Sequence, residues 1–145
     1  MAIDLNKYIG TLAVRLILGL IFFQQGFWKV FSFGVENLYK GKFFYETYKD
    51  LLPDFIIYST AYYTSYMELI AGFFLIIGFK TNYALYALAS VLVVVSFGHG
   101  LSKPIWDVAD VFYRFVFLII MIMLPQEWNK FSLDTLVKKY KNDEK

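Results

Sequence analysis

The stretch that decides the fold is Tyr58 to Phe79, YSTAYYTSYMELIAGFFLIIGF. About 22 residues at 1.5 Å rise give roughly 33 Å, against a bilayer hydrocarbon core of about 30 Å. The stretch can therefore cross a membrane as one helix. Near its middle it carries a single carboxylate, Glu68. A charge at that depth costs on the order of 2.5–3.5 kcal/mol on insertion scales. Glu68 must find a partner or be protonated, and the remaining polar residues in apolar segments are the candidates.

The whole chain has the same character. Of its 145 residues, 59% are hydrophobic and 21% aromatic, whereas soluble domains run at about 45–50% apolar. The excess sits in long apolar runs. This predicts an all-α protein, an integral membrane four-helix bundle with a long outer loop and a short C-terminal surface helix, in one domain spanning 1–145. The chain has no cysteine, which excludes disulfides, thiol redox chemistry, iron–sulfur clusters and thiolate zinc sites. With one histidine it cannot supply bis-histidine haem ligation, and no metal motif is present. A net charge of +2 gives no case for nucleic acid.

The predicted spans are about 8–31, 58–79, 82–99 and 108–124, with an outer loop at 32–57 and a tail at 125–145. The first is not read as a cleaved leader. Arg15 interrupts its apolar run and no A-x-A site follows, so it is expected to stay as an anchor. On a helical wheel Arg15, Gly19, Phe22, Gly26 and Lys29 share one face. Span two has a matching stripe: Ala61, Thr64, Glu68, Ala71, Gly72 and Leu75. Small residues on a stripe in lipid read as close helix approach. Both stripes face protein.

The segment FSFGVENLYKGKFFYETYKDLLPDF is charged, aromatic and unable to span. It is expected on the membrane face, partly as an amphipathic helix, with Phe43, Phe44, Tyr48, Leu51 and Leu52 dipping in. After Pro125 the tail has Phe131, Leu136, Val137 and Tyr140 at helical spacing, with Ser132 as a candidate cap. More lysines collect on the side of the termini than on the loop side. The positive-inside rule then puts both termini in the cytoplasm, and Trp28, Trp106 and Trp128 fall at the two interfaces.

Counting 1.5 Å per residue from the helix ends puts Arg15 roughly 10 Å, and Glu68 about 15 Å, from a membrane face. The gap is within reach of an arginine, so Arg15–Glu68 is the expected buried pair, with Arg114 as the competing partner. Gln25, Lys29, His99, Asp107 and Asp110 sit in the outer third. They define a polar pocket of Arg15, Gln25, Lys29, Glu68, His99, Asp110 and Arg114, in which Glu68 is the one candidate for proton chemistry. Each member also has a plain structural reading. Arg15–Glu68 can be an interhelical lock, His99 a boundary residue, and Asp110–Arg114 an i,i+4 surface pair.

Three motifs carry a family resemblance: RLILGLIFFQQGFWKVF (Arg15 to Phe31), MELIAGFFLIIGFKT (Met67 to Thr81) and WNKFSLD (Trp128 to Asp134). In order and spacing they resemble the DoxX/DoxD family of small four-helix membrane proteins. The resemblance implies a bundle in a bacterial cytoplasmic (inner) membrane, associated with quinone-linked sulfur oxidation or membrane redox complexes. The matching polar positions are Arg15, Lys29 and Glu68. Where the family has a glycine-rich start to its fourth helix, this chain has Asp110 to Arg114.

Three functions follow as expectations. One is a subunit that anchors or assembles a redox complex, with Phe43, Phe44, Tyr45, Tyr48 and the small-residue stripes holding a protein partner or a second copy. Another is a quinone-binding subunit of an oxidoreductase, in which Gln25, Lys29, His99 and Arg114 bond the head group. The third is a small-solute or lipid carrier. A bound quinone or lipid is the one cofactor expected, and membrane lipid is a partner in every case.

Overall fold

Glycines let two helices meet backbone to backbone. A Cβ on Gly26 would fall into the backbone of Leu69, and a Cβ on Gly72 into the backbone of Phe23. A Cβ on Gly19 would press on Ile76 at 3.0 Å. Each step of three or four residues along one helix is matched by the same step, reversed, along the other. The two stripes therefore face each other within one chain, antiparallel and backbone to backbone.

A computed structural model describes residues 2–103 and 109–143. Trp106, Asp107 and the start of the expected fourth span lie outside the described residues, as does the side chain of Asp110. Among the described residues the regular structure is helical. Helix α1 runs Ala2–Phe27 and continues as a π-helical turn, Trp28–Phe33. Two short helices follow, α2 (Val35–Lys40) and α3 (Tyr45–Tyr48). Then come α4 (Asp54–Ile77), α5 (Thr81–Ser102), α6 (Ala109–Met123) and, after a single turn at Gln126–Trp128, α7 (Leu133–Asp143). Helices α1, α4, α5 and α6 pack in a ring, α1 against α4, α4 against α5, α5 against α6 and α6 back on α1.

Three helical segments are long and apolar enough to cross a membrane: Asp4–Phe33, Asp54–Ile77 and Thr81–Ser102. Val111–Met123 is a shorter apolar helix. The core of the ring is Leu18, Phe22, Leu75, Leu85, Leu88 and Leu118. The outside is apolar as well. Phe73, Tyr83, Val93, Phe97 and Phe112 are all exposed, a surface that water would not tolerate and lipid does.

Helix α1 begins six residues before the expected Tyr8, because nothing in Ala2–Lys7 breaks a helix and Asp4 suits its first turn. At the other end of α4, Gly78 adopts φ +68° and closes the helix, its N–H donating to Leu75 O. The Gly78–Lys80 corner then receives the chain from far downstream. Asp134 Oδ1 accepts from the Lys80 N–H at 2.7 Å, and Oδ2 from the Thr81 N–H at 2.8 Å. The Asp134 N–H in turn donates to Gly78 O at 2.9 Å. Asp134 thus caps α5 from 53 residues away. Ser132 caps α7, accepting from the Thr135 N–H at 3.3 Å.

Arg15 belongs to this corner, and the expected Arg15–Glu68 pair does not form. The guanidinium of Arg15 donates to Phe131 O at 2.6 Å and Asn129 Oδ1 at 3.0 Å. It lies so close to Gly78 that any side chain there would collide with it. Extending the glycine register by one turn brings Arg15 level with Lys80, twelve residues or about 18 Å from Glu68 along the axis. Arg15 ties α1 to the chain that follows α6. Replacing Asp134 with alanine leaves two α5 amides without their acceptor, and is expected to cost about 0.5–2 kcal/mol in thermal unfolding. It should also make the α7 segment more protease-sensitive than the ring.

Candidate functional site

At the opposite end of the ring the same α1–α4 contact positions a buried ion pair. Gly26 brings α1 onto the backbone at Glu68 and Leu69. Lys29, three residues further on, is then on the same face and points at Glu68. Lys29 Nζ donates to Glu68 Oε2 at 2.7 Å. Glu68 is 0% exposed and Lys29 9%. The partner demanded by the mid-span carboxylate is thus Lys29. It lies inside the π-helical turn, where one extra residue per turn redirects the side chains that follow.

Two further charged or polar residues join the pair. Arg114 on α6 donates from Nη1 to Gln25 Oε1 at 2.9 Å. Its charge also acts on Glu68. Glu68 is therefore bonded to a lysine that continues α1 and shares its cavity with an arginine from α6. Oε1 of Glu68 is buried and has no hydrogen-bond partner among the described residues. The nearby buried hydroxyls are satisfied within α4, Thr64 on Thr60 O at 2.9 Å and Ser65 on Ala61 O at 2.6 Å.

Above the pair lies a cavity of about 380 Å³. Gln25, Lys29, Glu68, His99 and Arg114 contribute its polar wall. Leu38, Phe43, Phe44, Tyr48 and Leu52 from the loop, with Trp28 from the π-turn, contribute the apolar one. The loop is therefore a lid. Phe44, Tyr48 and Leu52 turn onto the mouth of the ring, and only Phe43 and Leu51 of the residues expected to dip into lipid are strongly exposed. Tyr48 reaches α5, where a Cβ on Gly98 would stand 3.3 Å from its hydroxyl. Trp28 stacks on Phe33, which meets Phe43 edge-on.

Side-chain bonds hold the lid to α4. The Tyr39 hydroxyl donates to Asp54 Oδ1 at 2.6 Å, and Tyr62 to Glu36 Oε2 at 3.0 Å. Glu36 also pairs with Lys40 at 2.7 Å. Bonding to Asp54 pushes the Tyr39 phenol up to about 12. The Lys40 bond, ahead of the one from Tyr62, holds the Glu36 carboxyl below its usual range.

Of the seven residues expected at the pocket, the structure brings together Gln25, Lys29, Glu68, His99 and Arg114. Arg15 lies at the far end of the ring. Phe43, Phe44, Tyr48 and Leu52, expected on lipid or a partner, line the cavity instead, and the other lining residues not foreseen are Trp28, Leu38, Ile57, Thr60, Thr64, Val95 and Gly98. Thr64 was legible as part of the Glu68 stripe. The lid residues carried no such signal, because amphipathic helices on lipid and on a cavity mouth have the same pattern.

A ring of apolar helices around a buried lysine–glutamate pair, closed at one end by an aromatic lid, defines a small helical membrane protein with an internal polar site. The DoxX family profile matches residues 10–101, more than half of the chain, and the chain belongs to that family. The match covers most of α1, the lid, α4 and all but the last residue of α5, and with them Lys29, Glu68 and His99. Arg114 and the Asn129–Asp134 clamp lie beyond it. Comparison with curated proteins and with solved structures returned no match.

Proposed function

We propose that this protein is a membrane subunit of a redox assembly that binds a quinone head group in the lid-covered cavity. The observation that carries the reading is the Lys29–Glu68 pair facing an aromatic-walled space. A cavity of about 380 Å³ is within the ordinary size of small-molecule sites, which are apolar with a few convergent polar groups. Trp28, Phe44 and Tyr48 supply flat apolar walls for a ring. Lys29 and Arg114 supply N–H donors for its oxygens.

In the membrane the four helices α1, α4, α5 and α6 are the spans, in a bacterial cytoplasmic membrane with both termini inside and the lid outside. Lys80, Lys130, Lys138, Lys139 and Lys141 gather at the clamp end, in keeping with a cytoplasmic face. On α7, Leu133, Leu136, Val137 and Tyr140 form an exposed stripe that lies on the membrane surface.

Decylubiquinone at about a hundred times its Kd is expected to add about 2.7 kcal/mol of stability to the detergent-purified protein, read as a rise in Tm. Decane at the same concentration should give none. Equal curves with and without the quinone overturn the reading.

Anchoring of a partner is a second reading, supported by the outward faces of Phe43 and Tyr45 on the lid. The glycine stripes no longer support it, since α1 and α4 use them on each other. Purification in mild detergent should then recover a stoichiometric companion, and a clean monomer counts against it.

A further inference from the structure

We infer that the cavity selects the reduced, dihydroxy form of its quinone over the dione. This rests on the proposed quinone site and concerns which oxidation state fills it. The hydrogen-bonding positions around the Lys29–Glu68 pair are unequal. Glu68 Oε2 is taken by Lys29 at 2.7 Å. Gln25 Oε1 is taken by Arg114 at 2.9 Å. Thr64 and Ser65 donate to their own helix. The buried acceptor that stays open is Glu68 Oε1, without a hydrogen-bond partner among the described residues and on a side chain that lines the cavity.

That open position is an acceptor, and it lies on a carboxylate. A dione presents only acceptors, so its oxygen beside Oε1 sets two lone pairs against each other. A hydroxyl does both jobs. It donates its proton to Oε1 in a short, charge-assisted bond, and its oxygen still accepts from an ammonium or guanidinium N–H. The diol therefore satisfies the wall on both counts, whereas the dione leaves Oε1 desolvated and unpaired. A buried acceptor without a donor shifts binding on the order of tenfold. Tighter binding of the reduced form raises the two-electron midpoint potential of the bound couple, by about 30 mV for each tenfold.

The test compares decylubiquinol with decylubiquinone under anaerobic conditions, by titration calorimetry on the full-length protein in detergent. The wild-type protein is expected to bind the quinol on the order of tenfold more tightly. Glu68→Gln is expected to reverse the order. Its carbonyl keeps Lys29, and its amide NH₂ then stands where Oε1 was, a donor that suits the dione. Affinities within twofold of each other in the wild type overturn the inference while leaving the quinone site standing. A Glu68→Gln protein that folds and keeps the quinol preference also overturns it. If that variant does not fold, the wild-type ratio decides alone. Binding of neither form overturns the quinone site itself, and the inference falls with it.

Discussion

Lys29→Met is expected to lower folding stability by about 3–5 kcal/mol, the usual cost of leaving one member of a buried ion pair alone. Methionine is unbranched like lysine and only one atom shorter, so most of the loss reports the missing charge rather than a hole. Glu68 would then keep Arg114 as a neighbour but lose its 2.7 Å donor. Adding Glu68→Leu to the same chain should recover most of the loss, because an apolar pair in that position has no charge to strand. Denaturant unfolding in detergent micelles measures all three proteins. A Lys29→Met protein as stable as wild type would remove the ion pair from its central place. The double variant should also fail to bind the short-chain quinone despite folding, which separates the pair's two roles.

Gly26→Ala comes second in expected effect. The added Cβ would fall into the Leu69 backbone, and backbone cannot rotate away as a side chain can. The two helices must part, at about 1–3 kcal/mol or more. The displacement falls next to Glu68, so the Lys29 bond lengthens as the helices separate, and quinone binding should weaken together with stability. Gly10→Ala is the control, since a Cβ there meets nothing within 4 Å. It should be neutral or slightly stabilising. Similar stability for the two alanine variants would mean that α1 and α4 do not touch as closely as described.

Much of this arrangement was legible in the residues. Hydropathy marked the apolar segments, and the Gly19–Gly26 and Gly72 stripes marked two protein-facing surfaces, although not that they face each other rather than a partner. The isolated Glu68 marked the place where a cation had to arrive. The identity of that cation was not legible from depth alone. Counting from Tyr8 assumed that the helix and the membrane begin together, yet α1 starts at Ala2. Arg15 therefore lies thirteen residues into α1 rather than seven, and what places it is the glycine register, which sets it level with the corner after α4, where Phe131 O and Asn129 receive it. Lys29 was on the right stripe and in the expected pocket, but the depth count put it in the outer third and gave Glu68 to an arginine instead. The glycine register would have corrected this: once Gly26 is set against Leu69, Lys29 has Glu68 within reach and Arg15 does not. The lid was the least legible part, since nothing in Phe43, Phe44 or Tyr48 says whether lipid or a cavity receives them.

The Asp134 cap has a consequence for how the protein is made. Its carboxylate lies 54 residues downstream of the Lys80 amide it receives, so a ribosome delivers the α4–α5 corner well before the group that finishes it. Until then those amides and the Arg15 guanidinium face the aqueous boundary unsealed. A nascent chain halted before Asn129 would lack the acceptors for both the α5 amides and Arg15, so this corner can close only once Asn129 to Asp134 have been made.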